Sequence, residues 1–99
     1  MAHSRLLLGS FDLLNIGHLT QLNAVANKGS HLTAAVISDA GVAALSGSNP
    51  FLPAAERSAV VGQLRMVNDT FITGPENSWS LPDHDELYVD AGLWDLLTH

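Results

Sequence analysis

Short apolar runs alternate along the chain with segments of helical periodicity. Residues 5–9 form an apolar run that ends in glycine, which is typical of a strand buried on both faces, and residues 31–37 predict a second strand. Between them, apolar residues recur at helical spacing over 17–26, and Gly29 is a natural C-cap for that helix. This part of the chain therefore predicts a strand, a helix and a strand.

The alternation continues with shorter segments. Residues 39–45 predict a short helix, and 46–50 predict a loop from their Ser, Gly, Asn and Pro content. A longer helix begins at Pro53. Its apolar residues are Val60, Val61, Leu64 and Val67. The remaining segments predict, in order, a strand, an irregular segment, a short strand and a terminal helix, at 69–73, 76–85, 87–89 and 93–97.

This order of elements indicates the fold class. Strands that alternate with helices form βαβ units, so we predict an α/β fold with a Rossmann-like, doubly wound parallel sheet and flanking helices. The 99 residues are 46% hydrophobic and 14% charged, which favours a compact domain over a disordered chain. A chain of this length holds one domain, which we place at residues 1–99.

The charges are unevenly distributed. Residues 1–74 carry four basic and four acidic residues and are neutral, so the net charge of −6 comes from the six acidic residues after Gly74. The basic residues are Arg5, Lys28, Arg57 and Arg65. So few cations exclude broad contact with nucleic acid or anionic lipid. We expect the acidic segment beyond Pro75 to lie away from any phosphate site, because its carboxylates would repel a phosphate.

Other function classes are excluded by what the sequence lacks. The chain has no cysteine, so it has no disulfide framework, thiolate metal site or thiol nucleophile. The apolar run at 6–14 is too short to span a bilayer and lacks a signal-peptide cleavage site. Residues 83–86 predict a solvated loop rather than a metal site. We expect a soluble, cytoplasmic protein.

The candidate chemistry lies in the segment from Gly9 to His18, which leaves the first strand and enters the first helix. Gly9 allows a ligand to approach the backbone closely. The N–H groups at the helix start near Gly17 are suited to receive an anion. His18 lies in the first turn, and the amide of Asn15 supplies another donor. Together these features predict a cradle for a phosphate group.

This segment resembles the signature of the cytidylyltransferase-like nucleotidyltransferases, G-[TS]-F-D-x-x-H-x-G-H. The chain matches it at Gly9, Ser10, Phe11, Asp12, Gly17 and His18. Asn15 stands where most members have the first histidine. Three later segments are similar to further family segments, at 38–39, 50–57 and 64–69. The resemblance extends over residues 5–73.

The resemblance implies transfer of CMP or AMP from CTP or ATP to a phosphorylated small alcohol or sugar, with release of pyrophosphate. It also implies Mg²⁺, bound mainly through the nucleotide phosphates, with no metal site on the protein. Such transfers depend on positioning and electrostatic stabilisation of the reacting phosphate. Members are often dimeric, and a short apolar-rich chain also leaves surface for association to cover, so we expect a homodimer.

The same resemblance implies a role for each matching residue. His18 donates to the reacting phosphate, and Asn15 is a neutral substitute for the missing histidine. Asp12 and Asp39 face the acceptor. The residues that bind the nucleotide are Gly9, Ser10, Phe11, Gly17 and Arg65.

The chain also departs from the family pattern. No lysine lies near Ser46, and neither lysine nor arginine follows Arg65. The chain is also shortened at its C-terminal end relative to the family. These departures favour an alternative, namely a degenerate or truncated protein of the same fold that binds nucleotide or a protein partner without turnover.

Several of these side chains have structural alternatives. His18 and Asp39 are both suited to a helix start, and asparagine such as Asn15 is a common turn residue. Arg65 fits a solvated helix surface equally well. We interpret Arg57 as structural.

Overall fold

The computed structural model of the protein describes residues 4–12, 14–28 and 31–98. Within these ranges lie four strands, β1 (Ser4–Gly9), β2 (His31–Ile37), β3 (Asp69–Thr73) and β4 (Glu86–Val89). The helices are α1 (Ile16–Ala26), α2 (Asp39–Ser46), α3 (Ala54–Gly62) and α4 (Ala91–Thr98), with a short 3₁₀ helix at Pro75–Asn77. The predicted C-cap at Gly29 falls outside the described residues.

The four strands form one parallel sheet in the order β3-β2-β1-β4. In its register, Leu7 of β1 lies between Ala34 of β2 and Tyr88 of β4. This arrangement confirms the predicted α/β fold with a Rossmann-like parallel sheet. Because β4 lies on the far side of β1 from β2 and β3, the strand order reverses at β1. Ligands of such sheets bind at the carboxyl ends of the strands beside this reversal.

One face of the sheet forms the main hydrophobic core with α1 and α3. Leu22 and Val25 of α1 and Val61 of α3 are buried against it. The sheet contributes apolar side chains from β1 and β2, among them Leu7, Leu32, Ala34 and Val36. The core therefore fixes the position of α1, the helix that carries the candidate motif.

Helix α3 differs from the prediction in length and in its buried face. It ends at Gly62, so the predicted helical residues Leu64 and Val67 lie beyond it. Its buried residues are Arg57 and Val61, spaced by one helical turn, whereas Val60 is exposed. A buried arginine on this face was not expected from the apolar pattern.

The connection from β3 to β4 is irregular apart from the 3₁₀ turn, as the sequence predicts. Ser38, the residue after β2, binds the start of this connection. Its N–H donates to the carbonyl of Thr73, the last residue of β3, at 2.8 Å, and its Oγ donates to Glu76 at 2.7 Å. Gly74 is required here, since a Cβ at this position would collide with the Ser38 side chain. No helix in the described ranges is both long and apolar enough to cross a membrane.

Candidate active site at the carboxyl edge of the sheet

A cavity of about 220 Å³ opens at the carboxyl end of β1, between α2 and α4. Its apolar wall includes Val42, Leu45 and Leu93. Its polar wall includes Ser10, His18 and Asp90. The cavity thus lies at the reversal of strand order, where the topology predicts a ligand site.

His18 is oriented into this cavity by its neighbours. Its Nδ1 accepts a hydrogen bond from the N–H of Asn15 at 3.2 Å, so the ring proton belongs on Nε2 in this arrangement. The ring packs against Phe11, with centroids 6.0 Å apart. The Nε2 lies 4.0 Å from Oδ1 of Asp90. His18 therefore presents one N–H donor at the polar wall of the cavity.

Asn15 is the N-cap of α1. Its Oδ1 accepts hydrogen bonds from the N–H groups of Gly17 at 2.9 Å and His18 at 3.2 Å, which together with the bond to the His18 ring makes a capping box. These are the N–H groups predicted to receive an anion. They are satisfied within the protein, so they do not form the predicted cradle, because an asparagine side chain reaches them first.

Gly9 and Phe11 serve packing more than ligand approach. A Cβ on Gly9 would lie 3.0 Å from Cβ of Asp90 and 3.3 Å from the Phe11 ring, so protein atoms fill the space that we expected a ligand to use. Phe11 has a φ of 52°, an uncommon value for a large side chain, and its ring is buried in the core. Of the predicted nucleotide-binding residues, Ser10 lines the cavity.

Asp12 and Asp39, predicted to face the acceptor, both bind the segment that leads into α3. Asp12 accepts hydrogen bonds from the N–H groups of Phe51 at 2.8 Å and Leu52 at 3.1 Å. Asp39 accepts one from the N–H of Ala54 at 2.9 Å. The α2 cap proposed as an alternative role for Asp39 is instead filled by Ser38, whose side chain accepts from Gly41.

Arg57 is fully buried and connects the carboxyl ends of two strands. Its Nη1 donates to the carbonyls of Ser10 and Ile37, both at 2.7 Å. Its Nε donates to the carbonyl of Leu52 at 2.8 Å, and its Nη2 forms an ion pair with Asp39 at 2.7 Å. These bonds confirm that Arg57 is structural, and two of them bind the backbone of Ser10 and Ile37, which line the cavity.

The structure does not bring Arg65 to the cavity. Arg65 is exposed and follows α3, shortly before Asn68, whose N–H donates to the carbonyl of Leu32 near the start of β2. Helix α3 returns the chain to the amino edge of the sheet, so Arg65 lies at the edge opposite His18. Arg65 therefore does not line this cavity, and its predicted binding to the nucleotide phosphates stays a prediction.

The other cations are also engaged elsewhere. Arg5 pairs with Glu86 at 3.0 Å, and the Lys28 ammonium lies 5.2 Å from the ring centre of Tyr88. All four lysines and arginines of the chain lie in the described ranges, and none of them lines the cavity. The described lining of the cavity thus offers no lysine or arginine to the phosphates of a nucleotide.

Asp90 is the site residue that the sequence analysis missed. It is 6% exposed, and its Oδ1 accepts from Gln21 Nε2 at 3.0 Å, while Oδ2 accepts from the N–H of Leu93 at 3.2 Å at the start of α4. The side-chain Oε1 of Gln21 also accepts from the N–H of Ala91 at 3.0 Å. The side chain of Gln21 thereby ties α1 to the start of α4, beside the cavity.

The position of Asp90 corrects the expectation that the acidic segment lies away from the site. Asp83 and Asp85 do lie at the amino edge, where Asp85 N–H donates to the carbonyl of Ser4 at 2.9 Å. Asp90 lies in the cavity because it directly follows β4, which pairs with β1. An acidic residue immediately after a predicted strand was the available signal.

The described residues contain no group of three or more histidine, cysteine, aspartate or glutamate side chains placed to hold a metal ion. Binding of Mg²⁺ mainly through the phosphates of a nucleotide stays a prediction.

Comparisons with known proteins agree with the motif. The model of the cytidylyltransferase-like family matches residues 6–81. The bifunctional protein HldE of Halorhodospira halophila is 43% identical over 61 residues, which are 61% of this chain and 13% of that protein. The FAD synthase of Thermococcus onnurineus is 33% identical over 67 residues, which are 68% of this chain and 45% of that protein. The chain thus spans less than half the length of these curated relatives.

A solved structure shares the fold. The lipopolysaccharide core biosynthesis protein of Thermoplasma volcanium superposes with a TM-score of 0.71 at 23% sequence identity. The superposition includes 79% of this chain and 63% of that one.

Proposed function

The chain belongs to the cytidylyltransferase-like family, and on this basis we propose that it carries the nucleotide site of a nucleotidyltransferase. The reaction moves CMP or AMP from a nucleoside triphosphate to a phosphorylated small alcohol or sugar and releases pyrophosphate. The observation that carries the proposal is the His18 ring, fixed by Asn15 with its Nε2 toward a cavity at the reversal of strand order. The relative named FAD synthase makes an adenine dinucleotide by its name, which favours ATP as the donor.

The chemical step fits a single neutral donor at this position. A phosphate oxygen of the acceptor attacks the α-phosphorus of the triphosphate, and the bond from that phosphorus to the bridging oxygen breaks as pyrophosphate leaves. Negative charge on the non-bridging oxygens is then stabilised by the Nε2–H of His18, without a covalent intermediate. The Asn15 N–H keeps the proton on Nε2 by occupying Nδ1. Asn15 is thus a positioning residue in this proposal.

The test is pyrophosphate release from ATP and from CTP with a panel of phosphosugars and phosphoalcohols. We expect the wild type to release pyrophosphate with one combination of triphosphate and acceptor. His18→Ala should lower that rate by about 10²–10³-fold, the effect of removing one preorganised donor. His31→Ala is the matched control, because this histidine pairs with Asp69 at the opposite edge of the sheet. Equal loss in both variants, or none in His18→Ala, contradicts the proposed role of His18.

A second candidate is binding without turnover. It is favoured by the absence of lysine and arginine from the cavity lining and by the carboxylate of Asp90 beside His18. Calorimetric binding of ATP or CTP without pyrophosphate release from any acceptor supports this second function. Pyrophosphate release that depends on His18 excludes it.

A further inference from the structure

The charge of the cavity wall is set by Asp90. Its side chain is 9% exposed, and it lines the cavity with Ser10 and His18 as polar neighbours. Its two oxygens each accept one hydrogen bond, from Gln21 and from the N–H of Leu93. A carboxylate has about four acceptor sites, so Asp90 retains capacity toward a ligand.

The size and the walls of the cavity limit what it holds. Its volume of about 220 Å³ is below the roughly 300–1,000 Å³ of most ligand pockets, so it suits one ring or one small polyol. Apolar side chains from α2 and α4 form much of the wall, namely Val42, Leu45 and Leu93. Such a cavity favours an uncharged group that carries a hydrogen-bond donor.

We propose that Asp90 determines which part of a ligand enters the cavity. Its carboxylate accepts a hydrogen bond from a hydroxyl or amino group of an uncharged ring or polyol, and it keeps phosphate groups out. A phosphate that accepts a hydrogen bond from Nε2 of His18 then binds against the repulsion of Asp90. This inference rests on the proposed function. In the nucleotide site, the uncharged nucleoside is bound by the cavity, and the phosphate groups are bound weakly.

The geometry sets the size of the repulsion. A phosphate oxygen that accepts from His18 Nε2 lies about 2.8 Å from it, and Nε2 is 4.0 Å from Asp90 Oδ1. The phosphate oxygen is therefore within about 7 Å of the carboxylate. At an effective dielectric constant of about 20, one unit charge at this distance changes affinity by more than about tenfold.

The experiment measures binding of adenosine, cytidine, ATP and CTP by calorimetry at one Mg²⁺ concentration and one ionic strength. Wild type is compared with Asp90→Asn and Asp90→Ser, both neutral and both suited to cap α4. Asp83→Asn removes the same charge at the opposite edge of the sheet and is the control. Thermal unfolding of each variant shows that it is folded under the binding conditions.

We expect the wild type to bind one nucleoside at least as tightly as its triphosphate. Both neutral variants at Asp90 should bind that triphosphate more than about tenfold tighter, with nucleoside affinity unchanged or lower. The Asp83 variant should keep the wild-type ratio of triphosphate affinity to nucleoside affinity. Unchanged or weaker triphosphate binding in the folded Asp90 variants overturns the inference, as does the absence of nucleoside and nucleotide binding in every protein tested.

Pyrophosphate release separates this inference from the proposed function. If the affinities change as expected but no variant releases pyrophosphate with any acceptor, Asp90 controls ligand choice in a site without turnover. If the wild type releases pyrophosphate and the Asp90 variants bind triphosphate no more tightly than the wild type, the transferase function stands and the role of Asp90 fails.

Discussion

Asn15 stands at the motif position where most of the family carries histidine, and its side chain is used as a helix cap. Its carboxamide oxygen binds two backbone N–H groups, while its own N–H orients the His18 ring. An imidazole at position 15 would have to replace the cap as well as add a donor. The chemistry and the stability of this motif are therefore coupled through one residue.

Replacing this cap gives the first prediction at the scale of residues. Asn15→His should lower the free energy of unfolding by about 1 kcal/mol, because histidine does not replace the side-chain oxygen of a good N-cap. Asn15→Asp keeps an acceptor at the same position and should cost less. Urea denaturation followed by circular dichroism measures both. Equal stability of the histidine variant and the wild type would show that the cap contributes little.

Arg57 gives a second prediction at this scale. Arg57→Met leaves the carbonyls of Ser10, Ile37 and Leu52 without their guanidinium donor. Each buried unsatisfied acceptor costs about 1–3 kcal/mol, so we expect a loss of at least about 3 kcal/mol.

The matched control for Arg57 is Arg65→Met, which removes the same charge from an exposed position. It should change stability by no more than about 0.5 kcal/mol. Urea denaturation of the two variants compares them directly. A similar loss of stability in both variants would contradict the stabilising role of the buried Arg57 hydrogen bonds.

At the scale of elements, the carboxyl ends of β2 and β3 are joined by Ser38, which also caps α2. The Ser38 side chain occupies the space beside Gly74, so the start of the β3–β4 connection has no room for a side chain. On the other side of the cavity, Gln21 joins α1 to the start of α4. These two connections hold the elements that surround the cavity.

The close approach at Gly74 predicts that Gly74→Ala is destabilising. The added Cβ would collide with Ser38, and overpacking of this kind costs about 1–3 kcal/mol. Gly62→Ala is the matched control, because its Cβ would lie 3.4 Å from the Thr70 methyl at the end of α3, an ordinary contact. Alanine is also the better helix former, so the control should be neutral or more stable by up to about 1 kcal/mol. Thermal unfolding of the two variants distinguishes them, and a stable Gly74→Ala would contradict the packing argument.

At the scale of the whole molecule, several large apolar side chains are exposed. Phe51 is 80% exposed on the segment held by Asp12, and Trp94 of α4 is 56% exposed. Ile16 and Leu87 are exposed as well. Contiguous exposed apolar patches are typical of surfaces that associate, and these side chains are the candidates for such a patch.

We therefore keep the prediction that the protein forms a homodimer. Sedimentation velocity at tens of micromolar protein should give the mass of two chains. A substitution that places a charge on this surface, such as Trp94→Lys, should weaken association, since burying an unpaired charge is costly. His84→Lys adds the same charge on the β3–β4 connection and is the control. A monomeric wild type at this concentration would contradict the prediction.

Much of the architecture followed from the sequence, because it is encoded by neighbours along the chain. The apolar runs located the strands, and their alternation with helices predicted the parallel sheet that the structure confirms. His18 was predicted as a site residue because a strand, the motif and a helix follow one another in the sequence, and it lines the cavity. Arg57 was interpreted as structural, and its buried hydrogen bonds agree.

Which acidic and basic side chains line the cavity was decided by the tertiary structure. Asp90 reaches the cavity because β4 pairs with β1, which brings it to Gln21, 69 residues away in sequence. Arg65 does not line the cavity, because α3 ends at Gly62 and returns the chain to the other edge of the sheet. Local periodicity determines which segments are strands and helices, whereas the pairing and length of those elements determine which side chains meet. The fold could therefore be predicted from the sequence, but the charge of its cavity could not.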